Sequence, residues 1–366
     1  VQELARYLIS APAESGLAAE IIKGRDGAEP RISILASESR VPWSGHSARY
    51  ALGDVYAALK AHNMSLIFVN TRSQAELVFQ ELWRINDDGL EIALHHGSLD
   101  VQQRRKVEAA MAAGKLRAVV STSTLDLGID WGDVDLVVNI GAPKGSSRLM
   151  QRIGRSNHRL DGPSRALLVP AKRFEVLECK AALDAVRARH QDSIVARTGG
   201  FDVLAQHVMG TACAGPFNAG ALYGEVRGAV PYHGLTRDEF DSVVDFVATG
   251  GYALKSYERF ARLRRREDGM WRLAHPRLAQ RYRMNVGTII EEAMVKIRLV
   301  RGQVRGQGGS QGRGRGPLRG GRVLGEIEEY FVDQLTPGDT FLFAGQVLRF
   351  EVMHEGQALA SRTHDE

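Results

Sequence analysis

The sequence predicts an α/β fold: a parallel sheet covered on both faces, then a helical section closed by a hairpin, then a β-rich section. Three observations carry this. Between residues 64 and 190, continuous apolar runs such as "MSLIFVN", "EIALHHG", "LRAVVSTS" and "DVDLVVNIG" alternate with helix-length segments, the pattern of strands buried on both faces. Between 196 and 284, three amphipathic segments lead into two strand-like arms around Asp268–Gly269, a hairpin signal. From 285 onward, "VGTIIEE" and "DTFLFAGQVLRFEVM" read as strands of a small barrel or sandwich.

In order, "VQELARYLIS" reads as helix, "GLAAEIIKG" and "PRISILAS" as strands, and "GDVYAALKAH" as helix. The segment "SQAELVFQELWRIN" is a helix with Ser73 and Glu76 at capping-box spacing. Asp100 is the expected N-cap of "DVQQRRKVEAAMAAGK". "SSRLMQRIGRSNH" reads as helix, "SRALLVPA" as strand and "FEVLECKAALDAVRARH" as a closing helix. In such sheets, sites form at the carboxyl ends of the strands, which here carry Thr71, Gly97, Thr122 and Gly141. "FDVLAQHVMGTACAG", "NAGALYGEVRGA" and "TRDEFDSVVDFVATGG" are three helices, the last with Thr236 and Glu239 at capping-box spacing. Three helices and a basic hairpin suggest a winged helix.

A length of 366 residues exceeds one ordinary domain, and the expected divisions are 1–195, 196–284 and 285–366. Apolar residues at 44% and charged residues at 25% fit a soluble globular protein, and no apolar run is long enough to span a membrane. Two cysteines, Cys179 and Cys213, exclude a disulfide framework and point to a reducing cytoplasm. The first residue is Val1 rather than Met, as in a fragment. A net charge of +5 leans toward nucleic acid. Much of it sits between Ala293 and Gly325, which holds seven arginines and no acid. Its Arg/Gly-rich part, 302–322, cannot bury a core; it either holds single-stranded backbone electrostatically or is a flexible insertion.

No G-x-x-x-x-G-K-[ST] phosphate loop occurs, and "GAPKGSS" holds similar residues in the wrong order. "LMQRIGRSNHR" brings Arg152, Arg155 and Arg159 together, either as a solvated helix face or as arginine fingers for a phosphate. In "STSTLDLGID", the hydroxyls of Thr122 and Ser123 can meet a nucleic-acid phosphate, with Gly128 allowing close approach; the alternative is a capped βα loop. Asn70, Thr71 and Arg72 precede a helix N-terminus, an anion site or a plain cap. On the hairpin, Arg262, Arg264, Arg265 and Arg266 are available to phosphates. Trp271 either stacks on a base or packs the hairpin onto the helices. His95, His96, His207 and His233 lack metal-ligand spacing, so no metal site is expected.

The order "LIFVNTRSQAE", "LHHGSL", "STSTLDLGID", "QRIGRSNH" resembles motifs IV to VI of superfamily 2 helicases, which lie on their second RecA-like domain. The surrounding text is similar to the Lhr (large helicase-related) family, most of all to its bacterial ligase-associated DExH-box branch. The resemblance covers most of the chain and is strongest over 64–190. It implies a RecA-like helicase C-terminal lobe, a winged helix and a barrel-containing domain. Gln151 and Arg155 match the family's glutamine and its first finger arginine, with His158 or Arg159 as second finger and Arg152 on the nucleotide side. Gly128 and Asp130 match residues coupling nucleotide to nucleic acid. Thr122 matches the phosphate contact, and Asn70, Thr71, Arg72, His96 and Gly97 match the DNA-facing loops. The implied cofactors are ATP and Mg2+, held mainly by a first lobe that would precede Val1. The implied partners are single-stranded DNA, duplex junctions, that first lobe, and a DNA ligase or nuclease. The implied reaction is ATP-driven 3′-to-5′ movement on DNA. A non-enzymatic nucleic-acid scaffold and an RNA helicase are the competing readings.

Overall fold

A computed structural model describes residues 5, 19–22, 24, 28–45, 47–126, 134–156, 162–190, 192, 197–254, 256–257, 261–284, 286, 293–300 and 320–363. The chain forms two compact units, one of residues 1–25 and 193–291 and the other of 26–192 and 292–366. The β-rich section lies in the same unit as the parallel sheet.

That parallel sheet contains β1 (Arg31–Ile34), β2 (Ser65–Phe68), β3 (Ile92–His95), β4 (Ala118–Ser121), β5 (Leu136–Ile140) and β6 (Arg165–Val169). Their order is β1-β6-β5-β2-β4-β3, with parallel pairing throughout. Its helices are α1 (Leu52–Lys60), α2 (Arg72–Arg84), α3 (Val101–Ala112), α4 (Ser146–Ile153) and α5 (Arg173–Arg187). The apolar runs lack alternation because both faces are covered. Ile67, Val120 and Val138 pack with Val55, Leu59, Val78 and Leu82 of α1 and α2. Leu66, Phe68, Val119 and Val137 pack with Met111, Leu149, Ile153 and Cys179 of α3, α4 and α5. Each fully buried aliphatic or aromatic side chain contributes about 1.5–3 kcal/mol, so the alternating faces fix the register.

Local signals hold in some places and fail in others. Asp100 caps α3 by accepting from Gln102 N at 2.9 Å. The capping box expected from Ser73 and Glu76 does not form. The N-cap of α2 is Thr71, whose Oγ1 accepts from Gln74 N at 3.2 Å, while Glu76 is buried and engaged elsewhere. The helix expected over "SSRLMQRIGRSNH" ends at Ile153 with Gly154 as C-cap, so Arg155 lies in the turn beyond it. No strand forms among the described residues of "GLAAEIIKG", and the helix expected over "VQELARYLIS" lies, apart from Ala5, outside the described residues.

The second unit contains α6 (Phe201–Ala214), α7 (Ala219–Arg227), α8 (Arg237–Thr249), the hairpin strands β7 (Leu263–Arg265) and β8 (Trp271–Leu273), and α9 (Arg277–Met284). The capping box of Thr236 and Glu239 is present. Gly269 turns the hairpin at a φ of 80°, a left-handed conformation that glycine adopts without a Cβ clash. Leu204, Val208, Leu222, Phe240, Val244 and Leu263 form its core, the arrangement of a winged helix.

The β-rich section is a five-stranded sheet of β9 (Met294–Val300), β10 (Gly320–Glu328), β11 (Thr340–Phe343), β12 (Gln346–His354) and β13 (Gln357–Arg362), in the order β10-β9-β13-β12-β11, with α10 (Glu329–Val332) following β10. The stretch "DTFLFAGQVLRFEVM" is two strands and not one. Ala344 and Gly345, with φ of 55° and 72°, make a two-residue turn that folds β12 back onto β11. Apart from Val286, the strand expected over "VGTIIEE" lies outside the described residues, as does the segment 301–319.

Candidate nucleotide and nucleic-acid surface

Parallel pairing brings the ends of β2, β3, β4 and β5 to one edge of the sheet, and the motif residues emerge there. After β2, Asn70 N donates to Gln74 Oε1 at 3.0 Å and Asn70 Nδ2 to Ala142 O at 2.9 Å, fixing the entry to α2. Thr71 is exposed at the N-cap. After β4, Thr122 is 8% exposed and Ser123 is exposed, with Ser121 Oγ donating to Thr122 O at 2.9 Å. Gly97, following β3, is exposed. His95 is buried, with Nδ1 2.9 Å from Thr124 Oγ1 and Nε2 3.0 Å from Glu108 Oε1. Burial pushes its pKa below the ordinary value, against the pull of Glu108.

Two residues expected at the ligand surface, Arg152 and His96, are buried, and a third, Arg72, stays exposed but is engaged by the protein. Arg152, matched to the nucleotide side, is 1% exposed. Its Nε donates to Asp126 Oδ1 at 2.9 Å, its Nη1 donates to Asn139 Oδ1 at 2.5 Å, and its guanidinium lies 4.9 Å from the centre of the Phe68 ring. Burial lowers its pKa, and Asp126 opposes the shift. His96, matched to a DNA-facing loop, is 1% exposed and donates from Nε2 to Glu76 Oε1 at 2.9 Å. Arg72 hydrogen-bonds Ser98 Oγ and pairs with Glu328.

Around motif VI, Gln151 is exposed on α4. Arg155 is half-buried in the following turn, where its N–H donates to Arg152 O at 2.9 Å. Gly128, Asp130, His158 and Arg159 lie outside the described residues. Sequence reasoning misses Asp126 and Asn139, the partners of Arg152. The available signal is an acid inside "STSTLDLGID" and an amide in an otherwise apolar strand.

On the winged helix, Arg264 and Arg265 are exposed on β7. Trp271 is half-buried against the helical core, and its backbone exchanges hydrogen bonds with Phe217 at 2.8 and 2.9 Å, which favours its packing role. The third helix, α8, exposes Asp238, Glu239, Asp241 and Asp245, so its face disfavours phosphate, while the exposed arginines of the hairpin and of α9 form basic surface among the described residues. Among the described residues, no group of three or more His, Cys, Asp or Glu is placed to hold a metal ion, and no helix is long and apolar enough to cross a membrane.

Comparison with known proteins identifies the relatives of this chain. The family described as "Large helicase-related protein, winged helix domain" matches residues 184–366, and "Helicase conserved C-terminal domain" matches 50–159. The chain is 36% identical over 296 residues to ATP-dependent helicase Lhr-Core protein 2 of Thermococcus barophilus, covering 80% of this chain and 32% of that protein. It is 32% identical over 308 residues to ATP-dependent helicase Lhr-Core of Sulfolobus acidocaldarius, covering 82% of this chain and 32% of that protein. The chain thus spans about a third of the curated relatives it matches. The structure of Mycobacterium smegmatis helicase Lhr bound to single-stranded DNA and AMP-PNP superposes with a TM-score of 0.67 at 29% identity, over 79% of this chain and 37% of that one.

Proposed function

The chain belongs to the large helicase-related (Lhr) family of helicases, and from that premise we propose that it is the second motor lobe, winged helix and adjoining sheet of an ATP-driven DNA helicase. The observation that carries the reading is the buried Arg152–Asp126 pair. It joins helix α4, which leads to Arg155, to the loop that carries Thr122 and Ser123. A change felt at Arg155 is thereby transmitted to the strand-facing hydroxyls by a short rigid path.

With arginine donors and no phosphate loop in its sequence, the chain fits ATP and Mg2+ as the completing half of a site. ATP supplies the phosphoryl group transferred to water. Arg155, assisted by Gln151 and by His158 or Arg159, stabilises charge on that group as the lobes close. Asp130 and Gly128 complete the coupling loop. Thr71, Thr122, Ser123 and the backbone at Gly97 hold single-stranded DNA by its phosphates, and Arg264 and Arg265 add contacts near a duplex junction. Support for DNA comes from the Mycobacterium smegmatis relative, whose structure contains single-stranded DNA and AMP-PNP. The 3′-to-5′ direction, the ligase-associated branch, ligase or nuclease partners and a cytoplasmic location follow from the motif resemblance.

In the intact enzyme, Arg155→Ala is expected to lower ATP turnover by about 10³-fold or more while leaving single-strand affinity within about twofold. Loss of binding with turnover retained at saturating DNA would place Arg155 on the nucleic acid and overturn its assignment.

A further inference from the structure

We propose that Glu76 is a positioning residue through which the five-stranded sheet holds the nucleic-acid-facing loops of the motor lobe in shape. The inference rests on the helicase reading above. Glu76 lies on α2, one turn past its exposed start, with its side chain 4% exposed. A carboxylate so buried needs several donors. Two come from the β11–β12 turn: Ala344 N donates to Oε1 at 2.5 Å and Gly345 N donates to Oε2 at 2.6 Å. The third is His96 Nε2, immediately before Gly97. Two successive left-handed residues turn their N–H groups toward the same anion, and Glu76 is that anion. Phe79 closes the contact: a Cβ on Gly345 would lie 2.6 Å from its ring, so glycine is required there.

Two further ties reach the same loops. The segment after β3 pairs with β10, Glu326 N donating to Ser98 O at 2.8 Å and Asp100 N to Leu324 O at 2.9 Å. Gly325 permits this approach, since a Cβ there would fall 1.9 Å from Ser98 O. Arg72, beside Thr71, bridges Ser98 and Glu328 of β10. The segment after Thr71 and those on either side of Gly97 are therefore fastened to the sheet, at Arg72, at Glu76 with His96 bound to it, and at Ser98–Asp100. The sheet moves with the lobe and preorganises its grip on the strand, so that ordering these loops costs little when DNA arrives.

The test is ATP hydrolysis by the intact enzyme, measured against single-stranded oligonucleotide concentration. Glu76→Ala is expected to raise the half-saturating oligonucleotide concentration about tenfold, and Glu76→Gln, which retains one acceptor oxygen, about threefold. Glu328→Gln, within the sheet, is expected to raise it about threefold as well. Maximal rate and half-saturating ATP are expected to stay within about twofold in all three. If Glu76→Ala does not fold, the two glutamine variants decide by the same criteria. Unchanged half-saturating DNA, or a fall in maximal rate alone, would overturn the positioning role and leave the helicase reading standing. A wild-type enzyme without DNA-dependent turnover would overturn both.

Discussion

Arg152 and Arg264 carry the same guanidinium into opposite surroundings. Arg152 is sealed between Asp126, Asn139 and the ring of Phe68, and its charge is neutralised inside the lobe. Arg264 stands exposed on a two-stranded hairpin, where its charge is offered to whatever anion approaches. Burial and partner, more than residue type, separate an arginine that joins two motifs from one that attracts a phosphate. The motif resemblance places Arg152 on the nucleotide side. Helix geometry points it inward to the core, and the chain turns at Gly154 before Arg155.

Substitution can break this contrast from both sides. Truncating Arg152 leaves Asp126 buried without its main partner, so Arg152→Ala is expected to destabilise the unit by about 3–5 kcal/mol, read as a lower urea midpoint. A loss under about 1 kcal/mol would make Arg152 a surface-like arginine after all. A smaller effect of a different kind is expected at the hairpin. Arg264→Ala with Arg265→Ala should leave the urea midpoint unchanged. It should weaken single-strand binding a few-fold at moderate salt, and reduce the salt slope by about one unit for each phosphate no longer neutralised. Unaltered affinity and slope would remove the hairpin from the binding surface.

The same lesson explains what is legible in the sequence. β2, β4 and β5 are visible because each is a continuous apolar run paired on both sides, and Asp100 because its cap is made within its own helix. Two identical capping-box spacings then have different outcomes. Thr236 and Glu239 lie on a surface where nothing competes, and the box forms. Glu76 is claimed by backbone N–H groups 268 and 269 residues away, a contact no local pattern encodes. The Ala344–Gly345 turn is hidden because alanine rarely accepts a left-handed conformation, and here the buried carboxylate of Glu76 holds it there. At the site, Asn70, Thr71, Gly97, Thr122 and Ser123 share one edge because strand ends in a parallel sheet fix them there. His96 and Arg152 are drawn into the protein, and the exposed Arg72 is engaged, by partners from distant segments, which spacing along the chain does not reveal.

As proposed above, this chain completes a nucleotide site whose phosphate loop lies on another lobe. The most direct test of this is DNA-stimulated ATP hydrolysis by the chain alone, and then with a first motor lobe carrying that loop supplied in trans. The expected result is no turnover by either piece and DNA-dependent turnover by the pair. Turnover by this chain alone, or none from a pair shown to associate, would contradict it.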